Sequence, residues 1–144
     1  MRQLKTMLLA LLIGPALPAL AGGIPVKLYK NPNCGCCNIY ADYLKDSGFE
    51  VEAVNTTDMV SVKKKYGVPA ALEGCHTAIA GGYIFEGLIP ADLVKRVLSE
   101  RKMIKGVSLP GMPAGAPGMS GFKTGPLDVY YIADTPTPAK FASF

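Results

Sequence analysis

The fold of this chain is decided by residues 26–54, which read VKLYKNPNCGCCNIYADYLKDSGFEVEAV. Apolar residues predict a short strand over 26–29, which the turn-forming sequence at 31–33 ends. From about 36 to 47 the apolar positions follow the i, i+3, i+4, i+7 spacing of a helix, and Gly48 ends it. Residues 49–54 then alternate apolar and acidic, as in a half-buried strand. This unit predicts two parallel strands joined by a right-handed crossover.

The following residues predict a helix, a hairpin and another helix. Residues 57–67 carry apolar side chains at helical spacing, with Thr57 as the cap and Gly67 as the stop. Gly81-Gly82 separates the apolar runs 77–80 and 83–86, which is a strong signal for a two-residue hairpin turn. Pro90 suits the first turn of a third helix. The order β-α-β-α-β-β-α, with a mixed sheet, predicts a single α/β domain of thioredoxin-like fold.

A segment rich in glycine and proline follows the third helix. Residues 106–126 contain six glycines and four prolines, so we expect no regular element there. The segment contains Pro-Gly-Met twice, ending at Met112 and Met119. Residues 127–132 look like a further strand, which argues that the loop is an ordered excursion from the domain.

The first 21 residues predict export. Arg2 and Lys5 precede an apolar run, and residues 19–21 form a small-x-small cleavage signal. Cleavage leaves residues 22–144 as one metal-binding domain, with its Met-rich loop at about 106–126 and no stable membrane span. We expect this domain in the periplasm, an oxidising compartment.

The charge balance gives no reason to expect nucleic acid as a partner. The full chain has a formal net charge of +4. Removing Arg2 and Lys5 lowers the basic count from 15 to 13, against 11 acidic residues, so the mature charge is +2. The only basic run, residues 63–65, is expected to form a solvated helix face.

The cysteines and the single histidine form two short clusters, Cys34-Gly35-Cys36-Cys37 and Cys75-His76. The first cluster lies where a strand turns into a helix, so unpaired N–H groups and the helix dipole favour thiolates there. The second cluster precedes the hairpin strand that we expect beside the first strand. The fold should therefore carry Cys75 and His76 towards the other three cysteines.

The residues leave several chemistries open for these clusters. Four cysteines in an exported chain allow two structural disulfides in three pairings, Cys34–Cys37 and Cys36–Cys75 among the bridges. Cys34 and Cys37, three apart at a helix start, suit a thiol–disulfide oxidoreductase. Three cysteines and a histidine also suit a closed zinc site, which would make the chain a zinc-stabilised or disulfide-stabilised binding module.

Soft donors in the loop favour copper over zinc. Met112 and Met119 stand in a segment that offers no apolar stripe to fill, and thioethers suit Cu(I). We therefore include both as candidate ligands beside Cys34, Cys36, Cys37, Cys75 and His76. Met59 and Met103 fall on helical stretches and are expected to pack.

Three motifs together resemble the CopG-type periplasmic copper-resistance proteins. They are Asn-Cys-Gly-Cys-Cys at 33–37, Gly-Cys-His-Thr-Ala at 74–78 and the doubled Pro-Gly-Met. The resemblance runs from about residue 26 to 132. It implies a thioredoxin-like fold that binds copper through its cysteines, in a multinuclear thiolate cluster, with the methionine loop as lid or entry route.

The leading hypothesis is a periplasmic protein that sequesters Cu(I) or handles its redox chemistry and so contributes to copper resistance. Its expected partners are copper ions and other periplasmic copper-handling proteins. The sequence leaves open whether the chain is also a copper or thiol oxidoreductase. In ordinary thioredoxins a cis-proline stands where Cys75-His76 stands here, a difference that argues against disulfide exchange.

Overall fold

The computed structural model describes residues 22–144, which form one mixed sheet of seven strands with three α-helices. The predicted signal peptide, residues 1–21, lies outside the described residues. In chain order the elements are β1 (Ile24–Lys30), α1 (Gly35–Asp46), β2 (Phe49–Asn55), α2 (Met59–Tyr66), a 3₁₀ turn (Ala70–Leu72), β3 (Thr77–Ala80), β4 (Tyr83–Glu86), α3 (Ala91–Glu100), β5 (Gly106–Ser108), β6 (Asp128–Tyr131) and β7 (Lys140–Ser143).

The strands follow the order β2-β1-β3-β4-β5-β6-β7 across the sheet. β1 pairs with β2, and β4 with β5, in parallel; the other neighbours are antiparallel. The predicted β-α-β-α-β-β-α order, the mixed sheet and the later strand are confirmed. The thioredoxin-like designation of this architecture stays a prediction.

The helices divide between the two faces of the sheet. Leu28, Ala78 and Phe85 belong to the main core, into which α1 packs the apolar side predicted for it and α3 packs its own apolar side. Tyr29 lies on the other face with α2, where its hydroxyl accepts a hydrogen bond from Tyr66. Successive residues of a strand point to opposite faces of the sheet. Residues next to the candidate metal ligands in the chain are therefore divided between the α1/α3 face and the α2 face.

Two strands arise where the local sequence did not predict them. β5 occupies the start of the glycine/proline-rich segment, where we expected no regular element. Gly106 permits its close approach to β4, because a Cβ there would lie 1.9 Å from the Ile84 carbonyl oxygen. Val107 is completely buried. β7 forms by pairing with β6. Both strands depend on partners distant in sequence, so a local pattern does not reveal them.

Three further expectations are wrong. Lys63 belongs to the basic run expected to be solvated, but it is buried and paired with Glu86, whereas Lys64 and Lys65 are exposed. Met103, expected to pack on a helix, is fully exposed beyond the end of α3. The cap of α2 also differs by one residue from the prediction, since the side chain of Asp58 accepts a hydrogen bond from the Ser61 amide.

Within residues 22–144, none of the helices has the length and apolar character needed to cross a bilayer.

The close approach at Gly106 generates a stability prediction. Gly106→Ala should lower the free energy of unfolding, because the added methyl group collides with the backbone of Ile84. Overpacking of this kind typically costs about 1–3 kcal/mol, and we expect a loss of this size or larger. Denaturant unfolding measures the change. Gly125→Ala is the matched control, since a Cβ at Gly125 meets nothing within 4 Å. Equal stability of the two variants would contradict the close contact.

Candidate metal centre

The first cysteine cluster is shaped by the turn that ends β1 and begins α1. The Cys34 amide donates to the Asn31 carbonyl at 3.0 Å, and the Asn33 amide donates to the Asn31 side chain at 2.9 Å. Cys34 is the N-cap residue of α1, and no side chain caps the helix there. The three cysteines therefore occupy the cap and first turn, at the positive end of the helix dipole.

Strand pairing brings the second cluster to the same place. β3 runs antiparallel to β1, with Tyr29 opposite Thr77, so the residues before β3 lie beside the end of β1. The sulfur atoms of Cys34, Cys36, Cys37 and Cys75 all lie within 4.8 Å of one another. With metal–sulfur bonds of about 2.3 Å, two sulfurs on one ion lie at most about 4.6 Å apart. The four sulfurs therefore need only small movements to share metal ions.

The sulfur cluster is partly oxidised. Cys34 and Cys37 form a disulfide, one of the bridges that the sequence left open, while Cys36 and Cys75 are free. The Cys36 sulfur lies 3.4 Å from that of Cys34. Two electrons must reduce the Cys34–Cys37 bridge to two thiolates before all four sulfurs can serve as ligands.

His76 adjoins the four cysteines, but it is not part of the group whose ligand atoms all lie within 4.8 Å of one another. Its Nδ1 lies 3.2 Å from the Cys75 sulfur, and its ring stacks on Tyr40 with centroids 4.6 Å apart. Its Nε2 is buried without a hydrogen-bond partner among the described residues. Burial lowers the pKa of His76 to about 3, with a further contribution from the Lys63 ammonium. The ring is thus a neutral imidazole, the form that binds metals.

The free thiol of Cys75 is also held in its neutral form. Burial raises its pKa to about 12, and the neighbouring Cys36 contributes in the same direction. Lys63 opposes the shift. A cation bound among the sulfurs would supply the missing positive charge and displace the proton, as metal ions do at thiol ligands.

Both Pro-Gly-Met units contact the chain segments that contain the cysteines. The Gly111 amide donates to the Glu73 carbonyl at 2.9 Å, two residues before Cys75. Gly118 lies against the first turn of α1, where an added Cβ would come within 2.8 Å of the Cys36 carbonyl oxygen. Of the two methionines, Met119 packs against the core and Met112 is 56% exposed. The loop therefore borders the cluster, while a ligand role for either sulfur stays a prediction.

A buried charged group behind the cluster was missed by the sequence reasoning. The carboxylate of Glu86 accepts hydrogen bonds from the Gly74 amide and the Thr77 hydroxyl, both at 2.7 Å, and from Lys63. The available signal was an acidic residue ending an otherwise apolar hairpin strand. No local pattern links it to a lysine 23 residues earlier.

Solved structures of known proteins share this arrangement of elements. Two structures, forms 1 and 2 of the copper resistance protein CopG, are each 31% identical to this chain. They cover 85% of this chain and 98% of their own, with TM-scores of 0.76 and 0.77. This chain belongs to the CopG copper resistance protein family.

The match to CopG agrees with the resemblance noted in the motifs. A profile of the family described as "Protein of unknown function, DUF411" matches residues 72–119, which include Cys75-His76 and both Pro-Gly-Met units. No curated protein matches the chain. The CopG structures cover nearly all of the described residues, so the single mixed α/β domain of this chain is the fold of that family.

Proposed function

We propose that this member of the CopG family is an exported, periplasmic copper-binding protein that contributes to copper resistance. Its site would sequester Cu(I), or handle its redox chemistry, through Cys34, Cys36, Cys37 and Cys75 with His76. The observation that carries the proposal is the convergence of four sulfurs within 4.8 Å at a helix start. The copper resistance proteins with which it shares its fold support the choice of metal.

The donor set favours copper over zinc. Thiolates and thioethers are soft donors that select Cu(I), and a neutral imidazole also suits copper. A closed zinc site uses four ligands, so the fourth cysteine and the methionine loop would add nothing to it. Four thiolates and an imidazole exceed what one Cu(I) needs, and bridging sulfurs allow several ions to share them.

The disulfide connects metal binding to redox chemistry. Two electrons reduce Cys34–Cys37 to two thiolates, and two Cu(I) ions that become Cu(II) can supply them. The reverse reaction returns two electrons to two Cu(II) ions and reforms the bridge. This balance gives the site a route for interconverting Cu(I) and Cu(II) without a further cofactor.

A thiol–disulfide oxidoreductase is the second candidate function. It is favoured by the disulfide between Cys34 and Cys37 at the start of α1, where the dipole stabilises a leaving thiolate. Such an enzyme needs only two cysteines, so it does not account for Cys36, Cys75 and His76. The two functions therefore differ in which cysteines they require.

The first test counts copper ions. Fully reduced, metal-free protein should bind more than one Cu(I) per chain in an anaerobic titration against a Cu(I)-selective chelator. Zinc, offered in competition, should not displace the copper, because the thiolates prefer the softer ion. The oxidised protein, with Cys34–Cys37 intact, is the control and should bind less. A ratio below one in the reduced protein, or preference for zinc, would refute the proposal.

A second test separates the two functions by residue. Cys36→Ser removes a bridging sulfur but leaves the Cys34–Cys37 pair, so the copper-to-protein ratio should fall while any disulfide reductase activity persists. Both quantities are compared with those of Cys34→Ser, which should lower the copper-to-protein ratio to a similar extent and abolish any disulfide reductase activity. If copper binding survives Cys36→Ser unchanged but is lost in Cys34→Ser, the site is not a shared cluster.

A third test concerns the loop as a cover or entry route. In the double variant Met112→Leu/Met119→Leu, folding should survive, because volume-conserving apolar swaps usually cost less than about 1.5 kcal/mol. We expect slower copper loading, or faster oxidation of bound copper, at a nearly unchanged ratio, since charged thiolates dominate the affinity. Stopped-flow loading and air-oxidation rates measure this. Met103→Leu is the control, because Met103 is fully exposed outside the loop. Wild-type rates in the double variant would assign both methionines to packing.

A further inference from the structure

The segment that carries Cys75 and His76 is held from behind by Glu86. This carboxylate has no exposed surface. One of its oxygens accepts the Gly74 amide and the other accepts the Thr77 hydroxyl, each at 2.7 Å. Gly74 and Thr77 are the residues immediately before and after Cys75-His76, so one side chain grips both ends of the pair.

The carboxylate of Glu86 and its hydrogen bonds to Gly74 and Thr77 are called the clamp below. The clamp lies on the face of the sheet opposite the ring of His76. Thr77 is opposite Glu86 in the β3–β4 ladder, and both meet Lys63 of α2 on that face. His76, one residue earlier, stacks on Tyr40 of α1 instead. Adjacent residues of an extended chain point to opposite faces. The hydrogen bond that fixes Thr77 on one face therefore also restricts the position of the His76 ring on the other.

Backbone contacts complete the grip. The Gly87 amide donates to the His76 carbonyl at 3.0 Å. Gly74 packs so closely on Gly87 that an added Cβ would lie 2.6 Å from the Gly87 Cα. The consecutive residues Glu86 and Gly87 thus contact the segment at Gly74, His76 and Thr77, leaving the side chain of Cys75 to face the other sulfurs.

A buried ion pair is an expensive way to stabilise a fold. Removing two charges from water costs free energy that their attraction only partly returns, and apolar replacements of such pairs are often neutral or stabilising. Lys63 and Glu86 are both buried and contact each other directly. Their value to the protein is better explained by the hydrogen bonds that the carboxylate makes to the ligand-bearing segment than by global stability.

We propose that Glu86 is a positioning residue of the metal centre, with Lys63 as its buried counter-ion: it orients Cys75 and His76 towards the sulfurs of α1. This inference rests on the proposed copper-binding function. Partners that orient the ligands of a metal typically contribute about 10- to 100-fold in affinity, and we expect a loss in this range when the clamp is removed.

Two double variants separate the clamp from the charges. Lys63→Met/Glu86→Leu removes both charges together, so no unpaired ion stays buried, and it also removes both hydrogen bonds. Lys63→Met/Glu86→Gln removes the same charges, but the amide can still accept from Gly74 and donate to the Thr77 hydroxyl. Lys64→Met is the matched control on α2, because Lys64 is exposed.

Two readouts are measured on each variant. The Cu(I) dissociation constant of reduced protein, by chelator competition, should weaken at least about 10-fold in the leucine variant and stay within a few-fold of wild type in the glutamine variant. Amide hydrogen exchange in metal-free, disulfide-bonded protein should accelerate at residues 74–77 in the leucine variant, while amides of β1 keep their wild-type rates.

Several outcomes would overturn the inference. Wild-type affinity and exchange in the leucine variant would show that the segment holds itself in place. Exchange that rises equally in β1 and at residues 74–77 would make the pair a general stabiliser of the fold. Equal loss of affinity in both double variants would assign the effect to charge. If wild-type protein binds no Cu(I), the proposed function fails, and local exchange at 74–77 alone decides whether Glu86 is a clamp.

Discussion

The antiparallel pairing of β3 with β1 is the constraint on which the site depends. Cys37 and Cys75 are 38 residues apart, yet the Cys37 sulfur lies 3.8 Å from the Cys75 carbonyl oxygen. The pairing places the residues before β3 at the end of β1, where α1 begins. Helix α1 then supplies the other three sulfurs from its cap and first turn. A change of register between these strands would separate the two halves of the site.

Burial gives this site its chemical character. In the metal-free, disulfide-bonded protein neither His76 nor Cys75 carries charge at neutral pH, because both are removed from water. A soft cation can replace the proton of the thiol and meet a neutral imidazole beside it. Lys63 and Glu86, in contrast, are buried in direct contact as an ion pair. The interior thus contains the neutral ligand candidates Cys75 and His76 on one face of the sheet. On the other face it contains the Lys63–Glu86 pair, which contacts the residues on either side of them.

The local patterns predicted the elements that are defined by near neighbours. Helix spacing predicted α1, and Gly81-Gly82 predicted the hairpin of β3 and β4. Patterns failed where distant contacts override local preference. A segment rich in glycine and proline contains β5 because Gly106 can lie directly against β4. Lys63 was predicted to belong to a solvated basic face. It is buried instead, because it pairs with the carboxylate of Glu86, 23 residues later in the chain.

The sequence by itself determined which donors are present and that three sulfurs share one helix start, because both depend on residue type and short spacing. Its motifs were also enough to suggest the family that the CopG structures support. Only the tertiary structure decided that Cys34 pairs with Cys37 and that His76 stacks on Tyr40. It alone revealed the grip of Glu86 on the residues flanking Cys75. These features join positions far apart in the chain, and their geometry follows from strand register and burial, which no local pattern contains.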